Sequence, residues 1–323
     1  MQATAIAHPI QGLVKYHGMR DAEQRLPYHD SISLCTAPSH TRTTVAFEPD
    51  RDADEYVVDG ERVTGHGAER IRTVIDHVRD RAGRTERVRL QSENSFQTNI
   101  GLGSSASGFA AAATAAVEAA GLELSRPAIS TIARRGSASA ARAVTGGVSQ
   151  LYTGLNDEDC RAERLELPES VSERLRVVVG IVPAYKETEQ AHREAAASHL
   201  FEGRLAHIHE QIAAMRDAVR AGAFRELFEL AEHDSLSLAA TTMTGPAGWV
   251  YWQPATIEIL NTVRALREED VPVYFSVDTG ASVYINTTDA FVDRVEAAVA
   301  DCGVETRVWK LGGPARLVDD ALF

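Results

Sequence analysis

A chain of 323 residues with 44% hydrophobic and 24% charged side chains has the length for two lobes or one large α/β unit, and its composition excludes wholesale disorder. No apolar run reaches the roughly 18–20 residues of a membrane span; the most apolar stretch, 109–120, is Ala-rich and interrupted by Glu118. A net charge of −13 argues against nucleic acid as the main partner.

The first 60 residues read as short strands at 3–8, 31–37 and 43–47. A hairpin follows, with strands at 56–58 and 61–63 around Asp59-Gly60, a pair suited to the left-handed backbone of a tight turn. Residues 67–82 carry helical spacing in Ile71, Val74, Ile75 and Val78. A strand is expected at 87–91, then a Gly/Ser-rich loop at 101–108 opening a helix at 109–120. A helix at 127–134 leads into a small-residue segment at 136–147. The continuous apolar run 175–183 predicts a buried strand. The pattern is helical over 194–232, broken near Gly222, and again over 254–268. Strands at 273–277 and 282–286 flank Asp278-Thr279-Gly280, a helix covers 289–301, and a strand at 306–311 closes the order. The boundary between lobes is expected near Pro183, with helix and strand on both sides.

Cys35, Cys160 and Cys302 are widely spaced, which suggests neither a disulfide framework nor a zinc knuckle and fits a reducing cytoplasm. The opening MQATAIAHPI has no basic or hydrophobic region of a signal peptide. Cations are skewed to 30 arginines against three lysines, Lys15, Lys186 and Lys310. An acidic surface almost free of lysine suits a salt-rich cytosol, where carboxylates stay hydrated and screened. Genomic drift from Lys to Arg accounts for the scarcity of lysine but not for the acidity. His8, His17, His29 and His192 form no pair at metal-ligand spacing, read as structural or rim residues, and predict no protein-borne metal site.

The clearest chemistry lies in Asn99-Ile-Gly-Leu-Gly-Ser-Ser-Ala-Ser-Gly108. Gly101, Gly103 and Gly108 let backbone N–H groups approach an anion, Ser104, Ser105 and Ser107 add hydroxyl donors, and the following helix directs its N-terminal dipole there. The loop is neither a Walker A motif nor G-x-G-x-x-G, and the same residues also fit a small-residue cap beside a packed sheet. The loop resembles the ATP-binding motif of the GHMP kinase superfamily, and the chain is most similar to its mevalonate diphosphate decarboxylase branch. Ala5-Ile-Ala-His-Pro-Ile-Gln-Gly-Leu-Val-Lys-Tyr-His-Gly18 resembles N-I-A-L-I-K-Y-W-G-K, and Leu26-Pro-Tyr-His-Asp-Ser-Ile-Ser33 resembles L-P-x-N-D-S-I-S. Ser92-Glu-Asn-Ser-Phe-Gln-Thr98 with the glycine loop resembles N-N-F-P-T-A-A-G-L-A-S-S-A-x-G. Ala133-Arg-Arg-Gly-Ser-Ala-Ser-Ala-Ala-Arg142 before Gly146-Gly147 resembles R-x-G-S-G-S-A-C-R-S-x-x-G-G, and Asp278-Thr-Gly-Ala-Ser282 more weakly resembles D-A-G-P-N.

The resemblance implies an α+β, two-lobed GHMP-kinase-like fold with the active site in the cleft, residues 1–183 forming the ATP-binding domain and 184–323 the C-terminal domain. It implies ATP and Mg²⁺, phosphorylation of a tertiary 3-hydroxyl, and elimination of that phosphate with CO2. Asp278, on spacing alone a turn residue between two strands, then matches the carboxylate that accepts or orients the hydroxyl proton. Lys15, otherwise a strand residue on a solvated face, matches the cation near Asp278 and the moving phosphoryl. Arg142, otherwise one surface arginine of many, matches the clamp on the substrate carboxylate. Ser137 and Ser139 match the serines that bond the substrate phosphate, and Tyr16 a further substrate contact. The loop glycines and serines fall to the nucleotide, with Ser92 and Asn94 near base or ribose. A cytoplasmic homodimer without membrane or nucleic-acid partners is implied as well.

The departures bear on the substrate. Met19 replaces the second Lys of K-Y-W-G-K, and Tyr185-Lys-Glu-Thr-Glu-Gln190 resembles K-K-x-S-S-R with Glu189 and Gln190 at the hydroxyl and cation positions. A second phosphate would be poorly neutralised there, which points to mevalonate 5-phosphate and isopentenyl phosphate, as in the archaeal members of the family. The alternatives are a diphosphomevalonate decarboxylase whose outer phosphate is held by arginines such as Arg193, a kinase that stops after phosphorylation, and a non-catalytic ligand-binding protein.

Overall fold

The computed structural model describes residues 1–96, 103–184, 192 and 194–323. Two sheets organise it. The first runs β16 (Arg316–Val318), β1 (Gln2–Ala7), β6 (Thr41–Glu48), β9 (Arg87–Asn94), β7 (Glu55–Val58), β8 (Glu61–Arg62). Its pairs are antiparallel except β7 with β9. Asp59 and Gly60 both take positive φ at the β7–β8 turn, as the Asp-Gly pair predicts. The second runs β11 (Ala162–Leu165), β10 (Val148–Leu151), β5 (Ser31–Ala37), β15 (Glu305–Leu311), β12 (Leu175–Ile181), β14 (Val283–Thr288), β13 (Tyr274–Ser276), with β2 (Ile10–Val14) also paired to β5. This sheet draws strands from both sides of residue 183. A hairpin of β3 (Met19–Asp21) and β4 (Leu26–Pro27) stands apart.

Helix α1 (Gly65–Ala82) buries the expected stripe Ile71, Val74, Ile75 and Val78, and Gly83 ends it in the left-handed conformation at φ 62°. Helix α2 (Ser104–Ala119) packs on β1 and β6. Its buried face is mostly alanine, including Ala110, Ala111, Ala113 and Ala116, so little side-chain bulk separates helix from strands. The expectation of a loop through 108 is corrected here. Gly103, at φ 77°, turns the chain straight into the helix, and its carbonyl accepts from Ala106 N at 2.9 Å. Ser104, Ser105, Ser107 and Gly108 therefore belong to the first turns of α2. Helix α3 (Arg126–Gly136) and α4 (Ala140–Thr145) follow, so the small-residue segment 136–147 contains a helical turn.

β12 explains its own apolar run. Val177 and Val179 face a core with Leu13, Ile32, Leu34 and Phe228, while Val178 faces another with Ile259, Ile285 and Val295. Past half-buried Arg176, burial on both faces leaves no position for a polar residue over 177–181, and each fully buried valine contributes about 1.5–3 kcal/mol. After α5 (Glu169–Ser172), helices α6 (Phe201–Ala221) and α7 (Phe224–Met243) lie against the first of these cores, separated by left-handed Gly222 at φ 64°. Helix α8 (Pro254–Glu268) has the predicted bounds, and α9 (Val292–Ala300) is shorter than expected because 289–291 form a turn.

Candidate active site

β2 slips register against β5 between Gly12 and Val14, and the strand ends there, releasing Lys15 from the ladder. Its ammonium is buried and donates to Gly12 O, Ser235 Oγ and Ser276 Oγ, each at 3.0 Å. Three donors meet three acceptors, so the group is fixed in direction. Asp234 Oδ2 stands 3.9 Å from Nζ and accepts from Lys15 N at 2.8 Å. Arg204 Nη2, from α6, donates to Lys15 O at 2.7 Å and Asp234 Oδ1 at 2.9 Å. Burial pulls the ammonium below the usual lysine range, against the Asp234 and Asp278 carboxylates.

Asp278 arrives from the far side, just past β13. Gly12 N donates to its Oδ2 at 3.4 Å, and Gly280 N to its backbone carbonyl at 2.9 Å. Lys15 and Asp278 meet over Gly12: a Cβ there would sit 2.7 Å from Lys15 Cγ and 2.8 Å from Asp278 Oδ1. Gly12→Ala is therefore expected to keep the fold and displace both groups. A misplacement near 1 Å corresponds to a loss of about tenfold to 100-fold in kcat. Steady-state kinetics beside a melting curve check this, and unchanged kcat would remove Gly12 from the site.

Arg142 lies on α4, 3% exposed, and its Nε and Nη1 have no hydrogen-bond partner among the described residues. Its guanidinium carbon stands 5.6 Å from the centre of the Tyr16 ring. Burial pulls its pKa down, with Tyr16 and Asp278 acting against that. A buried fork with idle donors is what a bound carboxylate compensates. Tyr16 stacks on His192 at 4.6 Å, and His17 meets the same ring edge-on at 5.8 Å. Ser137 and Ser139 cap the junction of α3 and α4, with hydroxyls 2.9 Å apart.

At the head of α2, Ser104 is half-buried, Ser105 is exposed, and nothing lies within 4 Å of a Cβ built on Gly108. Ser107 is turned inward, its hydroxyl 2.6 Å from Thr41 Oγ1. Ser92 Oγ is 2.8 Å from Thr43 Oγ1, and the Asn94 amide donates to Asp59 Oδ2 at 2.9 Å. These three side chains have partners within the protein. Gly101, Tyr185, Lys186, Glu189, Gln190 and Arg193 lie outside the described residues.

Residues 7–162 match the family described as the diphosphomevalonate decarboxylase-like N-terminal domain. The chain is 71% identical to the phosphomevalonate decarboxylase of Haloferax volcanii, over 100% of both chains. The chain belongs to the diphosphomevalonate decarboxylase-like family. Among solved structures, this family member superposes on mevalonate diphosphate decarboxylase from Staphylococcus aureus with a TM-score of 0.93 at 27% identity, covering 98% of each chain. A complex of MDDEF with MVAPP, AMPPCP and magnesium gives 0.92 at 26%, covering 99% of each. The mixed helix-and-strand architecture is thus the GHMP-kinase-like one.

Sequence reasoning missed the residues that hold Lys15: Arg204, Asp234, Ser235 and Ser276. Only Ser276 left a trace, as a hydroxyl inside the apolar strand 273–277. Asp234 and Ser235 fall just past the helical pattern read over 194–232; the structure carries that helix on to Met243, and nothing in the sequence distinguishes a buried polar pair there from a solvated one.

Proposed function

We propose that this decarboxylase-family chain converts mevalonate 5-phosphate to isopentenyl phosphate, with ATP giving ADP, phosphate and CO2. The observation that carries the reading is the buried Arg142 fork with idle donors, set beside Tyr16 and sharing its field with Asp278. The full-length likeness to the Haloferax volcanii phosphomevalonate decarboxylase supports the choice of substrate. The site would lie in a cleft between an ATP-binding unit at 1–183 and a second unit at 184–323, in a cytoplasmic homodimer. Among the described residues no helix is long and apolar enough to cross a membrane.

In this reading Asp278 accepts the proton of the 3-hydroxyl as its oxygen attacks the terminal phosphorus of ATP and ADP departs. Lys15, held by three hydrogen bonds, offsets negative charge on the transferring group. Arg142 holds the C1 carboxylate in plane. The C3–O bond then breaks with phosphate as leaving group. The electrons of the C1–C2 bond form the C2–C3 double bond, and CO2 leaves. Ser137 and Ser139 donate to the 5-phosphate. Ser104 and Ser105, with the loop glycines, take the nucleotide phosphates, and Ser92 and Asn94 stand toward base or ribose. Among the described residues no group of three or more His, Cys, Asp or Glu could hold a metal ion. The oxygen donors at the head of α2 fit Mg²⁺ carried largely on phosphate oxygens, and bound Mg²⁺ would neutralise charge there.

The substrate preference is testable. Met19 packs its apolar side chain beside Leu26, Ala138 and Ala141, where the family places a cation. A terminal phosphate carries about −1.5 to −2 charges near neutral pH. Without that cation the 5-diphosphate should be used at least about 100-fold less efficiently in kcat/KM, or roughly 2.7 kcal/mol. A coupled ADP assay with both substrates side by side in high-salt buffer decides it. Equal or better use of the diphosphate would establish the second reading, a diphosphomevalonate decarboxylase, which the likeness to the Staphylococcus aureus enzyme supports. ADP release from neither would leave a ligand-binding protein.

A further inference from the structure

β13 is the last strand of its sheet and pairs with β14 along one edge. On the other edge, side chains of α7 stand where a further strand would. Phe275 N donates to Glu232 Oε1 at 2.8 Å, and Val277 N, just past the strand, donates to Ser235 Oγ at 3.1 Å. Residues 232 and 235 are three apart and so share one face of the helix. A buried amide requires an acceptor, so these two side chains fix the path by which the chain leaves β13. The next residue along that path is Asp278.

Ser235 is 1% exposed, and every bonding position of its hydroxyl is taken. The hydrogen goes to Ala231 O at 2.8 Å, one turn back along α7. One lone pair accepts from Val277 N and the other from Lys15 Nζ, at 3.0 Å. This single oxygen is therefore where the helix, the buried cation and the approach to Asp278 meet. Gly12 O and Ser276 Oγ take the other two N–H groups of the ammonium. With all three spent on the protein, Lys15 acts on a nearby phosphoryl group through its charge, and its distance from that group sets the size of the effect.

We infer that Ser235 is a positioning residue for phosphoryl transfer: its oxygen, accepting from Lys15 and from the amide of Val277, sets the separation of the cation and the Asp278 carboxylate. Ser235 keeps no valence for a ligand, so substrate and nucleotide bind as well without it. Its loss falls on the chemical step, where a proton acceptor must stand within hydrogen-bond reach and a displacement near 1 Å is costly. The inference rests on the roles of Asp278 and Lys15 given above and is indifferent to whether the substrate carries one phosphate or two.

The test uses the full-length enzyme with Ser235→Ala and Ser235→Thr, assayed by ADP release at a temperature where melting curves show both to be folded. For Ser235→Ala, kcat should fall at least about tenfold, with KM for the phosphorylated substrate and for ATP each within about twofold of the wild type. Ser235→Thr keeps the oxygen and should return kcat to within about threefold of the wild type, since a threonine hydroxyl makes the same bond one turn back. Thr241 and Thr242 do so on this helix. Unchanged kcat in the folded Ala variant overturns the inference. So does a loss carried by both KM values, or a Thr variant no better than Ala, either of which marks a packing role. Should Ser235→Ala fail to fold, Ser235→Cys replaces it in the same comparison, because sulfur is a weak acceptor. Asp278→Asn measured alongside separates the two claims. If it keeps turnover, the reading of the site falls and the inference with it; if it loses turnover while Ser235→Ala does not, the inference alone falls.

Discussion

Asp278→Asn is expected to bind ATP normally and to lose turnover by a factor of about 10²–10⁴, the range supplied by a positioned acid or base. The exchange preserves volume, and an Asn carbonyl can still accept from Gly12 N, which now reaches the carboxylate at 3.4 Å. The pocket over Gly12 is so close that the side chain has little freedom to relocate. What disappears is the capacity to take a proton from the 3-hydroxyl. ADP release under saturating substrates, with nucleotide binding measured alongside, checks this. Turnover within about tenfold of the wild type, or 1.4 kcal/mol of barrier, would rule Asp278 out as the proton acceptor.

Arg142→Lys tests the other end of the substrate and should reduce kcat/KM by about 10³, since a broken buried charge pair costs roughly 3–5 kcal/mol. The positive charge remains, but the planar pair of donors does not. Nε and Nη1 are the idle donors, and a lysine ammonium on the same Cα has nothing to put at both places. The loss should fall on the phosphorylated substrate and spare KM for ATP. Near-normal kinetics with lysine would reduce Arg142 to a packing residue against Tyr16.

Local chemistry made some elements legible and left others hidden. Helix 254–268 was readable to the residue because Pro254 suits a first helical position and the apolar spacing is regular. β2 escaped notice because five residues with no alternation, all buried, look like neither period. The serines of 104–107 read as loop because Ser and Gly disfavour helix interiors, yet an N-terminus tolerates them. Lys15, Arg142, Asp278, Tyr16, Ser137 and Ser139 were singled out by motif as candidates, and all six lie among the described residues. The buried support of Lys15 was not, because Asp234 and Arg204 are joined to it only by the folding of α6 and α7 against β2. Contacts of that span have no periodicity to announce them.

The last strands have a consequence for biosynthesis. β16 completes the edge beside β1, β15 pairs with Ala37 and Thr36 of β5, and Gln2 Nε2 donates to Phe323 O at 2.7 Å. On the ribosome, β1 can find β6 early, but its other edge stays open until residues 316–318 emerge. At roughly 5–20 residues per second, that wait lasts about 15–60 seconds. An unpaired edge of that kind invites strand addition from neighbouring nascent chains on a polysome.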